Sequence, residues 1–297
     1  MTLTLKKIIL KNVGYLFILP WLIGLFAFTI GPISSSLIFS LYDYDAVTRF
    51  NFIGLENYIN IFRDPLFYKS LRNTAYYSFL GIPLSMVISL ILAILLNQKI
   101  KLIGFFRSLC YLPSTLSGAA VSLLWMWVFN SDFGVLNLTL RIFGINGPKW
   151  LNSEEWVIPA FVLMGLWGIG NTVVIFLAGL QGIPDVYYEA ALIDGANRWI
   201  LFWKITLPLM SPTIFFTLVM GIIGSFQIFT PAYIMTNGGP NNASLFYVLH
   251  LYNNAFLYLK MGYGCALAWI LFIIILALVS LIIKSTPLWV YYESEVK

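Results

Sequence analysis

Four charged residues interrupt an otherwise apolar part of the sequence, in the segment YYEAALIDGANRWILFWKITLPLMSP at residues 187–212. They are Glu189, Asp194, Arg198 and Lys204. Covalent catalysis needs a nucleophile beside a base, and a metal site needs clustered ligands. The sequence has neither at a usable spacing, so we predict no catalytic and no metal-binding residues. The charges instead suit polar contact with another surface.

Nucleotide binding is also not predicted. A phosphate-binding loop ends in Gly-Lys followed by Ser or Thr, and no lysine in this sequence follows a glycine. If the protein performs energised work, we expect the energy to come from a partner. The net charge of +5 is not clustered on one segment, so nucleic acid is not an expected ligand.

Composition indicates a membrane protein. Hydrophobic residues make up 60% of the chain and charged residues only 10%, whereas soluble domains average about 25% charged residues. A membrane-spanning helix needs about 20 apolar residues. We therefore predict an all-α integral membrane protein, a single transmembrane domain over residues 1–297 with six transmembrane helices. The expected spans are about 15–40, 75–97, 109–129, 157–181, 212–235 and 262–284.

Lysine and arginine near the span ends predict the orientation. Lys6, Lys7 and Lys11 precede the first span, and Lys99, Lys101 and Arg107 follow the second, with no acidic residue in either segment. Both segments are expected to be cytoplasmic. An even number of spans then places both termini, and the loop at residues 182–211, on the cytoplasmic side.

Residues 182–211 read as two helices joined by a bend. Pro184 and Asp185 suit the start of a helix, and Gly195 suits its end because glycine adopts the left-handed conformation without penalty. A second helix is expected from Ala196 to about Thr206, ended by Pro208, with Pro212 starting the fifth span. The pair could lie in a partner's groove or form an ordinary interfacial hairpin, and spacing alone does not separate these alternatives.

The predicted spans contain neutral polar and aromatic residues but no Asp, Glu, Lys or Arg deep inside, which argues against a proton-coupled or ion-driven carrier. Interhelical hydrogen bonding explains these residues simply. A passage for a neutral, hydroxyl-rich solute is the alternative, because aromatic faces beside amides and hydroxyls suit sugars. The residues concerned include Ser114, Trp167, Asn171, Gln227 and Tyr233.

The stretch EAALIDGANRWILFWKITLP resembles the EAA signature of the permease subunits of ATP-binding-cassette (ABC) importers. The matching positions are Glu189, Ala190, Ala191, Asp194, Gly195, Ala196, Phe202, Ile205, Leu207 and Pro208. Further stretches, among them FILPWLIGLFAFTIGPISSSLIFSLYDYD and TNGGPNNASLFYVLHLYNNAF, resemble the carbohydrate branch of maltose and glycerol-3-phosphate type. The likeness covers nearly the whole chain, although the extra N-terminal spans and large second outer loop of the maltose-type member are missing.

The resemblance implies a type I ABC importer permease fold and a function as half of a sugar or oligosaccharide pathway in a bacterial or archaeal cell membrane. The implied partners are a second homologous permease, a cytoplasmic ATPase dimer that binds ATP and Mg, an extracytoplasmic solute-binding protein, the sugar and membrane lipid. The chain itself would carry no cofactor and hydrolyse no ATP. The alternatives are import of glycerol-3-phosphate or another small polar solute, a secondary carrier, and a membrane-embedded enzyme or assembly subunit.

The resemblance also assigns residues to two sites. Glu189, Ala190, Ala191, Asp194 and Gly195 would contact the ATPase or shape the segment that does, with local helix capping as the alternative role of Asp194. Matching by position in spans three to five gives a substrate set. Its members are Ser114, Gly118, Trp167, Asn171, Gln227 and Tyr233.

Overall fold

The computed structural model describes residues 17–45, 47–98 and 101–291. These residues form fourteen α-helices, short 3-10 and π turns, and one two-stranded hairpin. They fall into two compact units, the first comprising residues 17–63 with Leu251–Leu271 and the second Asp64–His250 with residues 272–291. In chain order the elements are α1 (Phe17–Phe39), β1 (Tyr42–Tyr44), β2 (Phe50–Phe52), α2 (Glu56–Arg63), α3 (Pro65–Leu96), α4 (Ile103–Tyr111), α5 (Gly118–Val128), α6 (Val135–Ile142), α7 (Val157–Trp167), α8 (Gly170–Gln181), α9 (Asp185–Ile193), α10 (Arg198–Leu201), α11 (Leu207–Phe226), α12 (Thr230–Met235), α13 (Tyr247–Tyr252) and α14 (Met261–Trp289).

Within the described residues, four helices are long and apolar enough to cross a membrane unaided: Phe17–Phe39, Pro65–Leu96, Arg198–Met235 and Met261–Trp289. Two further pairs bring the number to six if each is one span. The helix Ile103–Thr115 and α5 meet at a bend of 98°, and α7 and α8 meet at a bend of 50°. The expected third and fourth spans therefore correspond to broken helices. Residues 15 and 16, at which the first expected span starts, lie outside the described residues, as does the segment that precedes them.

Helix α3 is the central element of the second unit and packs against α7, α8 and α11. Asp64 caps it, since a side-chain oxygen accepts from the Leu66 N–H at 2.8 Å, and Pro65 occupies the first turn, where its missing N–H is harmless. The helix thus begins at Pro65, well before the span expected from residue 75. Buried hydroxyls such as those of Ser70 and Thr74 donate to backbone carbonyls of their own helix, which satisfies them in apolar surroundings.

The first unit is organised around the hairpin, which the sequence analysis did not predict. Its strands pair antiparallel, with Tyr42 opposite Phe52. Asn57 of α2 is buried and donates to the carbonyls of Ser40 and Tyr42 at 2.8 and 3.0 Å. Gly262 opens α14 against the same strand, where a Cβ would lie 2.0 Å from the Tyr42 carbonyl oxygen. A substituted residue at position 262 would therefore displace the hairpin.

A buried imidazole lies beside the cap of α3. His250 is 4% exposed, and its Nε2 lies 3.3 Å from Oδ2 of Asp64. Burial lowers the pKa of His250 below its usual value, and the nearby Asp64 charge opposes this effect without reversing it. The imidazole is therefore neutral near pH 7.

The lowered pKa of His250 predicts acid sensitivity. The histidine takes up a proton more readily in the unfolded protein than in the folded one. The stability that the neutral, buried His250 contributes is therefore present above about pH 6.5 and is lost as the pH falls below that value. We expect the melting temperature of the detergent-solubilised protein to decrease between about pH 7.5 and about pH 5, and to decrease less in a His250→Gln variant. Equal slopes for the two proteins would contradict this assignment.

Candidate functional site

The 182–211 segment folds as a helix, a glycine bend and a second helix. At the end of α9, the Gly195 N–H donates to the Leu192 carbonyl at 3.0 Å and the Ala196 N–H to the Ala191 carbonyl at 2.9 Å. These two bonds define a Schellman motif, which requires a left-handed residue at its turn. Gly195 has φ +80°, and nothing lies within 4 Å of where its Cβ would be. The requirement for glycine is therefore one of backbone conformation and not of space.

The second helix differs from its expected bounds. Asn197 caps α10, its side chain accepting from the Ile200 N–H at 3.0 Å. The helix then continues through a π turn, Phe202–Thr206, into α11 with no break at Pro208. In the π turn the Leu207 N–H donates to the Phe202 carbonyl, five residues back, so the hydrogen-bond register is shifted just before Pro208. Prolines in this sequence were thus poor indicators of helix ends.

Helix α9 presents an exposed surface. Glu189 and Ala190 are exposed and Ala191 is half-buried, while the apolar side chains of Val186 and Ile193 are 69% and 87% exposed. On the inner side, the Tyr188 hydroxyl lies 3.0 Å from that of buried Thr206, which ties α9 to the π turn. Asp194 is the C-cap residue, with its N–H bonded to the Ala190 carbonyl at 3.1 Å. The five predicted residues therefore form one short stretch with an apolar and largely uncovered face.

A second feature lies where helices break inside the apolar part of the chain. The breaks fall at residues 116–117, 168–169 and 227–229. Non-helical backbone at membrane depth is tolerated only where it is buried in protein or lines a cavity. The breaks at 168–169 and 227–229 border a single cavity of about 560 Å³. Gly118, the first residue of α5 after the break at 116–117, borders the same cavity.

The cavity is neutral: no residue that lines it within the described part of the chain is charged. Its volume is within the usual range for small-molecule sites. Six lining residues are glycines, which leave backbone groups accessible to a ligand. The polar side chains of the lining are Tyr77, Ser85, Thr172, Ser225, Gln227 and Thr230.

Two of the six predicted substrate residues, Gly118 and Gln227, line this cavity, and four do not. Gly118 begins α5, where a Cβ would meet Thr230 at 3.9 Å. Gln227 is exposed at the end of α11. Among the others, Tyr233 is stacked on Phe229, itself part of the lining, with ring centroids 5.4 Å apart. The Trp167 ring lies edge-on to Trp125 at 6.1 Å, in an aromatic cluster.

Ser114 and Asn171 are brought together by close backbone packing. A Cβ on Gly170 would lie 2.6 Å from the Cys110 carbonyl oxygen, so only glycine lets α8 start against the end of α4. The Ser114 hydroxyl donates to the Tyr111 carbonyl at 2.7 Å and lies 3.5 Å from Oδ1 of Asn171. The second distance is at the limit of a hydrogen bond, which leaves the exposed Asn171 amide free to turn toward another group.

The sequence analysis missed the contribution of α3 to the cavity. Tyr77, Gly81 and Ser85 all line it. Their spacing of four residues places them on one helix face, and this pattern of small and polar residues in an apolar helix was a usable signal. Elsewhere, no group of three or more His, Cys, Asp or Glu side chains among the described residues is arranged to hold a metal ion.

The chain is similar to a known family of transport proteins and to individual permeases. The family model described as "Binding-protein-dependent transport system inner membrane component" matches residues 85–285. The "Probable ABC transporter permease protein YesP" of Bacillus subtilis (strain 168) is 41% identical, over 95% of this chain and 93% of that protein. The "Arabinooligosaccharides transport system permease protein AraP" of the same organism is 35% identical, over 92% and 87%.

A solved structure has the same fold. A chain of a bacterial alginate ABC transporter, crystallised with its alginate pentasaccharide-bound periplasmic protein, superposes with a TM-score of 0.82 at 22% identity, over 94% of this chain and 96% of that one. The likeness confirms the predicted type I importer permease fold. With the family match and the extent of the similarity to its relatives, it leads to one conclusion: the chain is a multi-pass membrane protein that belongs to the inner membrane components of binding-protein-dependent transport systems.

Proposed function

We propose that the chain is a permease subunit of an ABC importer for a sugar or oligosaccharide. It would form half of the pathway beside a second, homologous permease. A cytoplasmic ATPase dimer would bind ATP and Mg and hydrolyse ATP, and an extracytoplasmic binding protein would deliver the sugar. The chain would lie in a bacterial or archaeal cell membrane as a single transmembrane domain, with both termini and the 182–211 segment in the cytoplasm.

The observation that carries this proposal is the 182–211 segment. Its exposed Val186 and Ile193 would be unfavourable in water, whereas a partner's groove would cover them. Glu189 supplies a charge at the same surface, and the small Ala190 permits close approach. The resemblance to the EAA signature supports the ATPase as that partner.

One continuous helix connects the two candidate sites. From Arg198 to Phe226 it extends about 40 Å at 1.5 Å per residue, from the bend at Gly195 to Gln227 at the cavity. Since helices resist bending, a displacement of the segment by the ATPase would be carried to the cavity wall. The Tyr188–Thr206 contact makes α9 move with this helix. ATP can drive the change provided that it binds the inward-open and outward-open states with different affinity.

The cavity favours a neutral sugar over a phosphorylated solute. Glycerol-3-phosphate carries a strong negative charge, and such groups are usually held by arginine, lysine or a helix terminus. The described lining contains hydroxyls, an amide, aromatic rings and glycines instead. Sugar hydroxyls both donate and accept, which matches these side chains.

The first test concerns the bend. A Gly195→Val variant forces a β-branched residue into a left-handed conformation, at a cost of about 1–2 kcal/mol or more. We expect normal abundance in the membrane and uptake lowered by about tenfold or more, because the segment no longer has the shape that fits the ATPase. Uptake would be measured with radiolabelled glucose, maltose, lactose and arabinobiose, in cells carrying the whole transporter.

Two controls separate coupling from folding. Gly195→Asn should retain most uptake, because asparagine tolerates the left-handed conformation. Gly144→Val introduces the same strain at φ +74°, with open space around it, outside the segment. It should leave uptake near normal. Normal uptake by Gly195→Val, or equal losses for both valine variants, would count against a coupling role of the segment.

The second test concerns two predicted substrate residues, Asn171 and Gln227, of which Gln227 lines the cavity. Combining Asn171→Ala with Gln227→Ala should lower uptake at low sugar concentration about thirtyfold, through an increased KM, because each amide can supply a hydrogen bond worth about 1 kcal/mol. Gln181→Ala, at the exposed far end of α8, is the matched control. If Gln227→Ala alone accounts for the whole loss, Asn171 does not bind sugar. Unchanged uptake and sugar preference in the double variant would exclude this site.

A further inference from the structure

The last described residues of the chain are attached to the root of the 182–211 segment through one buried hydroxyl. Ser211 of α11 is 4% exposed. Its Oγ accepts the backbone N–H of Tyr291 at 2.8 Å and donates to the Pro208 carbonyl at 2.6 Å. A single serine thus bonds both to its own helix and to a residue 80 positions further along the chain.

The position of Pro212 explains why a serine is needed there. In an α-helix, the residue at 212 would donate its N–H to the carbonyl of residue 208, and proline has no N–H to give. The partly buried Pro208 carbonyl would then lack its helical donor. The Ser211 hydroxyl supplies that donor and keeps a lone pair free for Tyr291.

Side-chain packing supports the same attachment. Val290 is 8% exposed, and Trp289 lies beside Phe215 of α11 with ring centroids 6.2 Å apart. Tyr291 and Tyr187 of α9 together line two small cavities of about 220 and about 280 Å³. The end of α14 and the residues that follow it therefore border both α11 and α9, with space beside them for rearrangement.

We propose that Ser211 is a positioning residue for energy coupling. It fixes the end of α14 to the root of the 182–211 segment, so that α14 follows when the ATPase displaces that segment. This inference rests on the proposed function. Without the bond, the segment would still bind the ATPase. Part of its displacement would then move the segment relative to α14 and would not be transmitted to α14. The expected defect is less sugar carried per ATP hydrolysed, with the complex still assembled.

The experiment uses the whole transporter, purified through a tag on this chain and reconstituted in liposomes with its binding protein. It measures the sugar imported per ATP hydrolysed, using whichever of the four radiolabelled sugars the unmodified complex imports fastest. Ser211→Ala removes both bonds of the hydroxyl. A chain that ends at Trp289 removes the bond from Tyr291 together with the packing of Val290, and it leaves the Pro208 carbonyl satisfied.

We expect each change to lower the sugar-to-ATP ratio about fivefold, the equivalent of one hydrogen bond, and the combination to be no worse than either alone. Two controls should stay within about twofold of the unmodified complex. The first is a chain that ends at Tyr291, which keeps the donor. The second is Thr217→Val, because the buried Thr217 hydroxyl bonds only to carbonyls of its own helix in the described contacts.

Three results would overturn the proposal. The first is a normal ratio in the chain that ends at Trp289, which would leave Ser211 as a local cap of Pro208. The second is an additive loss in the combined variant. The third is dissociation of the Ser211→Ala complex, which would show that the contact holds the assembly together. A failure of the proposed function is recognised separately, since the unmodified complex would then import none of the sugars.

Discussion

The requirement that every backbone N–H and carbonyl find a partner inside a membrane controls this structure. A helix meets the requirement by itself, so each interruption of a helix needs a local explanation. At residues 116–117, 168–169 and 227–229 the interruptions lead to one glycine-rich cavity, where exposed backbone could be satisfied by water or by a ligand. The helix continues through Pro208 after a π turn, and at Pro212 the Ser211 hydroxyl replaces the missing donor. The same constraint therefore produces a break in one place and continuity in the other.

Continuity through the two prolines gives the fold its mechanical character. Had the helix ended at Pro208, the 182–211 segment would be a surface hairpin with a flexible connection to the membrane. Because the helix continues from Arg198 to Phe226, a displacement at one end reaches the other without loss in a loop. The glycine bend at Gly195 then sets the direction in which α9 projects from this helix. In the proposed function, the rigid part transmits the displacement and the bend presents the surface that receives it.

Sequence reasoning succeeded where a local rule decided the outcome. The left-handed turn at Gly195 followed from glycine between two helical patterns, and the membrane class followed from composition. The prediction of a helix end at Pro208 was wrong, because the π turn that precedes it depends on the hydrogen-bond register of neighbouring residues. Sequence reasoning also failed at the early start of α3, where the charges of Lys69 and Arg72 hid the first turns of a helix capped by Asp64. The hairpin at Tyr42 depends on Asn57 and on the close approach of Gly262, contacts that are distant in sequence.

The candidate cavity was only partly predictable for a related reason. Polar side chains in an apolar helix can be recognised from the sequence. Whether they face a cavity or a neighbouring helix depends on the rotation of the helix about its axis. Gln227 and Trp167 looked equivalent in sequence, yet one borders the cavity and the other packs against Trp125. A cavity lined by six glycines and six neutral polar side chains offers no charge to orient a sugar, and weak contacts discriminate little between similar sugars. In the proposed importer, selection must therefore be made largely by the binding protein, and the permease can release each sugar readily because it holds none of them tightly.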